Sequence, residues 1–277
     1  MHVPYLRYLL RAALAVALLS VLSACGTTPR ASPPTAHTSP PTAMGGEVFE
    51  VSPGKPFRWK GRAGTMLEIE NVNGSIQATT TTEPDVEIVA EMRDDAEGAA
   101  GVVVTRNATG VSFCVRAEHV TTASCDGHGR HGRGAAVNVT VRVPEGLHLV
   151  ARTVNGRVHV RGLIGRVEAN AVNGQVLLEE VRDVRASSVN GQVRATFANG
   201  AFRGPVELST VNGGVSVELP AGTDADLRAD TVRGHVDVEL PGAADLRGRH
   251  VRVALGRGGH ELSLHTVHGS IHVEERR

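Results

Sequence analysis

The sequence predicts an all-β protein: a single-stranded parallel β-solenoid, β-helix-like, with an elaborated and partly antiparallel amino-terminal portion. Two observations carry this expectation. Val-Asn-Gly recurs at Val72-Asn73-Gly74, Val154-Asn155-Gly156, Val172-Asn173-Gly174, Val189-Asn190-Gly191 and Val211-Asn212-Gly213, with degenerate copies at Val232-Arg233-Gly234 and Val267-His268-Gly269. An alternating apolar and polar run follows the glycine, as in Arg157-Val158-His159-Val160 or Ser270-Ile271-His272-Val273, which is the period of a half-buried strand. Nowhere is a 3.6-residue pattern sustained.

The elements are justified in chain order. Arg7 and Arg11 precede the apolar run Ala12 to Leu22, which is too short to cross a bilayer about 30 Å thick and reads as a leader, residues 1–24. Leu22-Ser23-Ala24-Cys25 ends it. Small residues suit a peptidase, and the thiol after them is a nucleophile for a diacylglyceryl group, so this segment resembles the lipobox of bacterial lipoproteins. That resemblance implies lipidation of Cys25, membrane lipid as a partner and an extracytoplasmic envelope location. Gly26 rather than Asp resembles lipoproteins sent to an outer membrane where there are two membranes. Residues 25–46 hold five prolines and almost no large apolar group, so they are expected to form a disordered tether.

Residues 47–277 are expected to form the β domain, with amino-terminal strands and a disulfide loop over 47–146 and the repeat solenoid over 147–277. Phe49 to Val51 and Phe57 to Trp59 alternate around the turn chemistry of Ser52-Pro53-Gly54-Lys55-Pro56. Between the first two Val-Asn-Gly copies, Val86–Ala90, Val102–Val104, Val111–Val115 and Val137–Val143 read as strands. They suit either a separate lobe or a set of elaborated first coils. With Cys25 acylated, Cys114 and Cys125 are the remaining thiols of an exported chain, and a structural disulfide between them is expected.

From residue 154 the repeats are 18, 17, 22, 21 and 35 residues apart, and the last interval is long enough to hide one unmarked coil. Asn-Gly between strands is also a hairpin signal, so an antiparallel meander competes. Strand centres, however, recur about every nine residues, as at Val158, Val167 and Val176, while Asn-Gly marks every second junction. A coil returning to one corner accounts for this. The corner residues are then Asn73, Gly74, Asn155, Gly156, Asn173, Gly174, Asn190, Gly191, Asn212, Gly213, Gly234 and Gly269. Each coil is expected to lie on the previous one, with asparagine amides sharing hydrogen bonds and glycine supplying a permissive backbone.

The leader, the Phe-x-Val-x-Pro-Gly opening at Phe49 to Gly54 and the Val-Asn-Gly-x-Val units together resemble the bacterial DUF4097 family, described as adhesins. The resemblance spans roughly residues 47–274 and implies an extracytoplasmic β-solenoid-like domain without established catalytic residues. Arg233 and His268 depart from the asparagine column.

Charge and chemistry narrow the function further. Twenty-nine basic and 29 acidic residues leave no net charge, so no nucleic-acid partner is expected. Aromatic residues are 3% of the chain and nearly absent after Phe202, which removes stacking platforms for sugars. Asp224, Asp226, Glu218, Asp237, Glu239 and Glu274 could place carboxylates at the spacing glycoside hydrolysis needs, but strand spacing gives such pairs by accident. His128 and His131, beside Cys125 and Asp126, lie among glycines that supply no second shell, and His260, His265, His268 and His272 suit solvent-facing ladder positions. No catalytic residue, metal or cofactor is expected. The expected function is a non-enzymatic surface binding or adhesion module; the alternative is a structural or signalling envelope component acting through protein contacts. Partners would be an envelope protein or a surface polymer.

Overall fold

The structure, a computed structural model, describes residues 44–93, 100–116, 135–198, 202–240 and 246–276. Residues 43–277 make one compact unit. Its first strands, β1 (Met44–Val51) and β2 (Phe57–Gly61), flank the Ser52–Pro56 turn, and β3 (Met66–Asn73) and β4 (Ile76–Thr81) flank the first Asn-Gly corner. Next come β5 (Val86–Met92), β6 (Ala100–Arg106), β7 (Gly110–Arg116) and β8 (Val137–Pro144). The regular coils are β9 (His148–Asn155) with β10 (Val158–Arg161), β11 (Arg166–Asn173) with β12 (Val176–Val181), β13 (Asp183–Asn190) with β14 (Val193–Phe197), and β15 (Val206–Asn212) with β16 (Val215–Leu219). The chain continues through β17 (Ala225–Arg233), β18 (Val236–Glu239), β19 (Leu246–Gly248), β20 (His250–Leu255), β21 (Glu261–His268) and β22 (Ile271–Glu275).

These strands form two eleven-stranded sheets, and each rung of the stack contributes one strand to each sheet. In spatial order the rungs are β1/β2, β6/β5, β7/β8, β3/β4, β9/β10, β11/β12, β13/β14, β15/β16, β21/β22, β17/β18 and β20/β19. At about 4.8 Å per rung the stack is about 48 Å long. It is all-β and largely parallel, a solenoid-like arrangement with antiparallel elaboration toward its amino-terminal end.

Alternation explains why the two sheets close on each other. Val158, Val176, Val193, Val215 and Ile271 are register partners on successive rungs, parallel, and each is at most 1% exposed. In the other sheet Ala151, Ala169 and Ala186 are register partners and form a column of small, buried side chains. Val167 pairs with Leu149 and Val184, not with Val158, so the hairpin meander is excluded. The few aromatics meet in pairs: Phe197 meets Phe202 edge-on at 4.9 Å, Phe49 lies 4.7 Å from Phe57, and Trp59 lies 4.9 Å from Phe113.

Chain order and spatial order part company at both ends. After β15/β16 the chain skips a rung, builds β17/β18, reverses through β19 and β20, and only then fills the gap with β21/β22. The 35-residue interval therefore holds an antiparallel cap rather than a hidden coil, and Asn212 lies beside His268 instead of Arg233. The expectation that every coil rests on the previous one fails here. The amino-terminal end uses the same device: β3/β4 is placed first, the chain reverses through β5 and β6, and β7/β8 fills the rung between. The 47–146 portion is thus a set of elaborated rungs in the same stack. Each end of the sheet that holds β1 is finished by an antiparallel pair, β1 with β6 and β20 with β17.

Candidate functional site

The most regular polar feature is the Asn-Gly corner. Asn155, Asn173, Asn190 and Asn212 each donate from Nδ2 to Oδ1 of the asparagine one rung nearer the amino-terminal end, at 2.8–2.9 Å, beginning with Asn155 on Asn73. The backbone runs the opposite way. The N–H groups of Gly74, Gly156, Gly174 and Gly191 donate to the carbonyls of Asn155, Asn173, Asn190 and Asn212 at 2.9–3.2 Å. The amides are exposed, so the column works as a surface ladder and not as a buried one.

The residue before each repeat valine has a buried role that the sequence did not reveal. Thr153, Ser188, Thr210, Thr266 and Thr231 donate their hydroxyls to the carbonyls of Gly74, Gly174, Gly191, Gly213 and Gly269 on the adjoining rung, at 2.8–3.1 Å. Asn71 donates its Nδ2 amide to the Val137 carbonyl at 2.8 Å. Ala171, 4% exposed between Thr153 and Ser188, is the exception and offers the Gly156 carbonyl no hydroxyl. Ala171→Ser is expected to raise stability by about 0.5–1.5 kcal/mol. Urea unfolding checks it; an unchanged or lower midpoint contradicts it.

Glycine at these corners is required chiefly by close approach. A Cβ on Gly156, Gly174, Gly191 or Gly213 would lie 1.7–2.1 Å from the carbonyl oxygen of the preceding corner glycine. Gly174 has no positive φ, so the expected permissive backbone is not what this position uses. Gly234 and Gly269 do combine the same contact, 1.9 Å, with φ of 149° and 152°.

Other predicted site residues are placed as follows. Cys25, residues 26–43 of the expected tether, Cys125, His128 and His131 lie outside the described residues, while Met44, Gly45 and Gly46, the last of that tether, already belong to β1. Cys114 is 1% exposed on β7, and its bond to Cys125 stays an expectation. Glu218, Glu274 and Glu239 are register partners on three adjoining rungs, and His272 contacts Glu274 at 3.5 Å. Asp224 is held by Arg257 at 2.8 Å, and backbone and side-chain hydrogen bonds from Arg257 lower its pKa. Among the described residues no three His, Cys, Asp or Glu side chains come together as a metal site.

One constellation was not legible beforehand. Asp230 on β17 accepts hydrogen bonds from Arg228 at 2.9 Å and bonds His250 Nδ1 on β20 at 2.8 Å, while His265 on β21 stands 3.7 Å away. Ser263 Oγ lies 2.8 Å from His265 Nε2, which completes a Ser-His-Asp series. Three features argue against nucleophilic chemistry. The His265–Asp230 separation exceeds a hydrogen bond. Asp230 is already engaged by Arg228 and His250. Finally, β21 is paired on both sides, so its N–H groups lie in the ladders and form no oxyanion hole. Burial lowers the pKa of His265, against the pull of Asp230.

The group is better read as a clamp between the cap and the stack. Burial raises the Asp230 pKa, but the hydrogen bonds from His250 and Arg228 outweigh it and leave the carboxyl below its ordinary 3.8. A depressed folded-state pKa stabilises above the unfolded value and is lost as pH falls through the folded one. Asp230→Asn should therefore cost about 1 kcal/mol at neutral pH, with the difference from the parent closing below about pH 4. Paired melting curves across pH test this; a constant difference would refute it.

Fold and surface together define a two-sheet β-solenoid whose polar groups are spent on rung-to-rung bonding. No family model matches the chain, and no curated protein matches it. Among solved structures it is similar to a candidate cell adhesion protein from Clostridium sporogenes, at 9% identity and a TM-score of 0.44 over 80% of this chain and 100% of that one. A candidate adhesin from Bacteroides fragilis gives 10% and 0.28 over 80% and 98%. A candidate lipid binding protein from Parabacteroides distasonis gives 12% and 0.23 over 81% and 98%. Identities this low leave function to be read from the chain's own surface.

Proposed function

We propose that this chain is a lipid-anchored protein of the bacterial envelope that acts as a non-enzymatic binding or adhesion module. Acylated Cys25 would hold it to membrane lipid, and residues 25–46 would keep the folded stack clear of the surface. The supporting structural observation is the outer face. Its charges are paired across rungs, Arg152 with Glu68, Arg185 with Glu207 at 3.0 Å and Arg161 with Glu179 at 3.7 Å, and among the described residues they do not converge on a cavity. The depression lined by Ser52, Lys55, Glu91, Arg93 and Asn138 is open to solvent. Broad ladders of this kind suit an extended partner, a surface polymer or an envelope protein.

Two measurements test the proposal. Mass spectrometry of the mature amino terminus should find a lipid on Cys25; a free amino terminus at Gly26 or beyond removes the anchor. Cross-linking in live cells, with identification of what is captured, should find surface polymer or an envelope protein, and capture of protein alone favours the structural reading. A Cys114–Cys125 bond would leave neither thiol open to alkylation before reduction.

A further inference from the structure

We infer that the two ends of the stack are complementary and that the chain associates end to end with further copies of itself. Among the described residues, β1 and β20 are the outer strands of one sheet, each paired on one side only, with β6 and β17. Each edge carries a single sign of charge. β1 contributes Glu47 and Glu50 and no base; β20 and the residue before it contribute Arg249, His250 and Arg252 and no acid. Glu47, Glu50, Arg249 and Arg252 are exposed and take part in no ion pair among the described residues, unlike Arg152, Arg166, Arg185 and Arg228. Among the described residues, Val48, 43% exposed on β1, and Val232, 53% exposed beside the distal cap, are the two exposed large apolar side chains, one near each end.

Charge at an edge strand ordinarily blocks pairing. Here it blocks only the pairing of like edges. Two β1 edges repel, as do two β20 edges, whereas β1 attracts β20. Strand direction agrees. β1 is antiparallel to β6 and β6 to β7, so β1 runs with the parallel strands, and β20 runs against them. A copy translated along the stack therefore brings β20 and the next β1 together antiparallel. A register that sets Glu50 opposite Arg252 also sets Val51 opposite Val251 and Phe49 opposite Val253, continuing the inward apolar rows. On the second sheet both edges are basic, Arg58 and Lys60 on β2 against Arg247 on β19, but Arg247 is already held by Asp237 at 3.4 Å. Such a contact is heterologous and does not close, so it builds rows of copies rather than dimers.

Sedimentation of the full-length chain in mild detergent tests this. Mass should rise with concentration without stopping at two copies, and the association should weaken with salt. Glu50→Arg alone, or Arg252→Glu alone, should weaken association at least about tenfold, because each sets like charges opposite one another at that register position. An equal mixture of the two variants, and the double variant, should restore it. Both positions are exposed, and circular dichroism confirms that the variants are folded. A chain that stays monomeric, a closed dimer, or association indifferent to the reversals and not rescued in the mixture each overturns the inference. Cell or polymer binding is scored separately, so its loss with assembly intact counts against the binding module alone.

Discussion

Gly174→Val is expected to abolish folding of the stack, whereas Asn173→Ala, one residue away, costs only about 0.5–1.5 kcal/mol. The contrast follows from what each residue touches. A Cβ on Gly174 would stand 1.7 Å from the Gly156 carbonyl oxygen and 2.6 Å from its carbon, both backbone atoms that no rotamer change can move. Relief requires opening the rung spacing at the corner. That breaks the bonds from the N–H groups of Gly156 to Asn173 and of Gly174 to Asn190, at 3.2 and 3.1 Å, and draws apart Ala151, Ala169 and Ala186 beneath them. The cost is roughly 4 kcal/mol or more, a large share of the stability of an ordinary domain. Asn173, by contrast, exchanges two exposed amide bonds for water. Far-ultraviolet circular dichroism and urea unfolding separate the two variants; a cooperative, near-parental melt for Gly174→Val would show that the corner can spread.

This contrast also marks how far the sequence could be read. Recurrence of Val-Asn-Gly in one register was enough to place five asparagines in a column and to align Val158, Val176 and Val193, because a period-two strand leaves little freedom once one face is buried. The reason for glycine was legible only in part. Sequence suggests torsional freedom, which Gly74, Gly234 and Gly269 use, while Gly156, Gly174, Gly191 and Gly213 are fixed by rung-to-rung contact, a quantity that depends on a neighbour one rung away. The hydroxyl column of Thr153, Ser188 and Thr210 was visible as small or polar residues, but its acceptor was not. Least legible was the order of the last rungs. Ser270-Ile271-His272-Val273 and His235-Val236-Asp237-Val238 carry the same pattern, so either fits either slot, and the meeting of Asp230, His250, His265 and Ser263 depends wholly on which one is inside.

Leu264→Asp probes that order, and its expected effect is loss of three rungs in one step. Leu264 is fully buried on β21 and has Leu208 of β15 on one side and Ala229 of β17 on the other. A carboxylate there has no partner and costs roughly 3–5 kcal/mol. Were β21/β22 the terminal coil, as chain order implies, the damage would be a frayed end. Because it lies inside, its loss leaves β17/β18 and the β20/β19 cap without a rung to rest on, and the Asp230 clamp loses its seat. Hydrogen exchange should show amides of Leu227, Val236 and Val251 losing protection together with those of Leu262 and Ile271, while Val158 and Val176 stay protected. The matching change at the outermost rung, Val251→Asp, should expose only β19 and β20, since β17 keeps β21 beside it. Protection retained across β17 and β18 in Leu264→Asp, with only residues 261–276 exchanging, would show that the inserted coil contributes nothing to what lies beyond it.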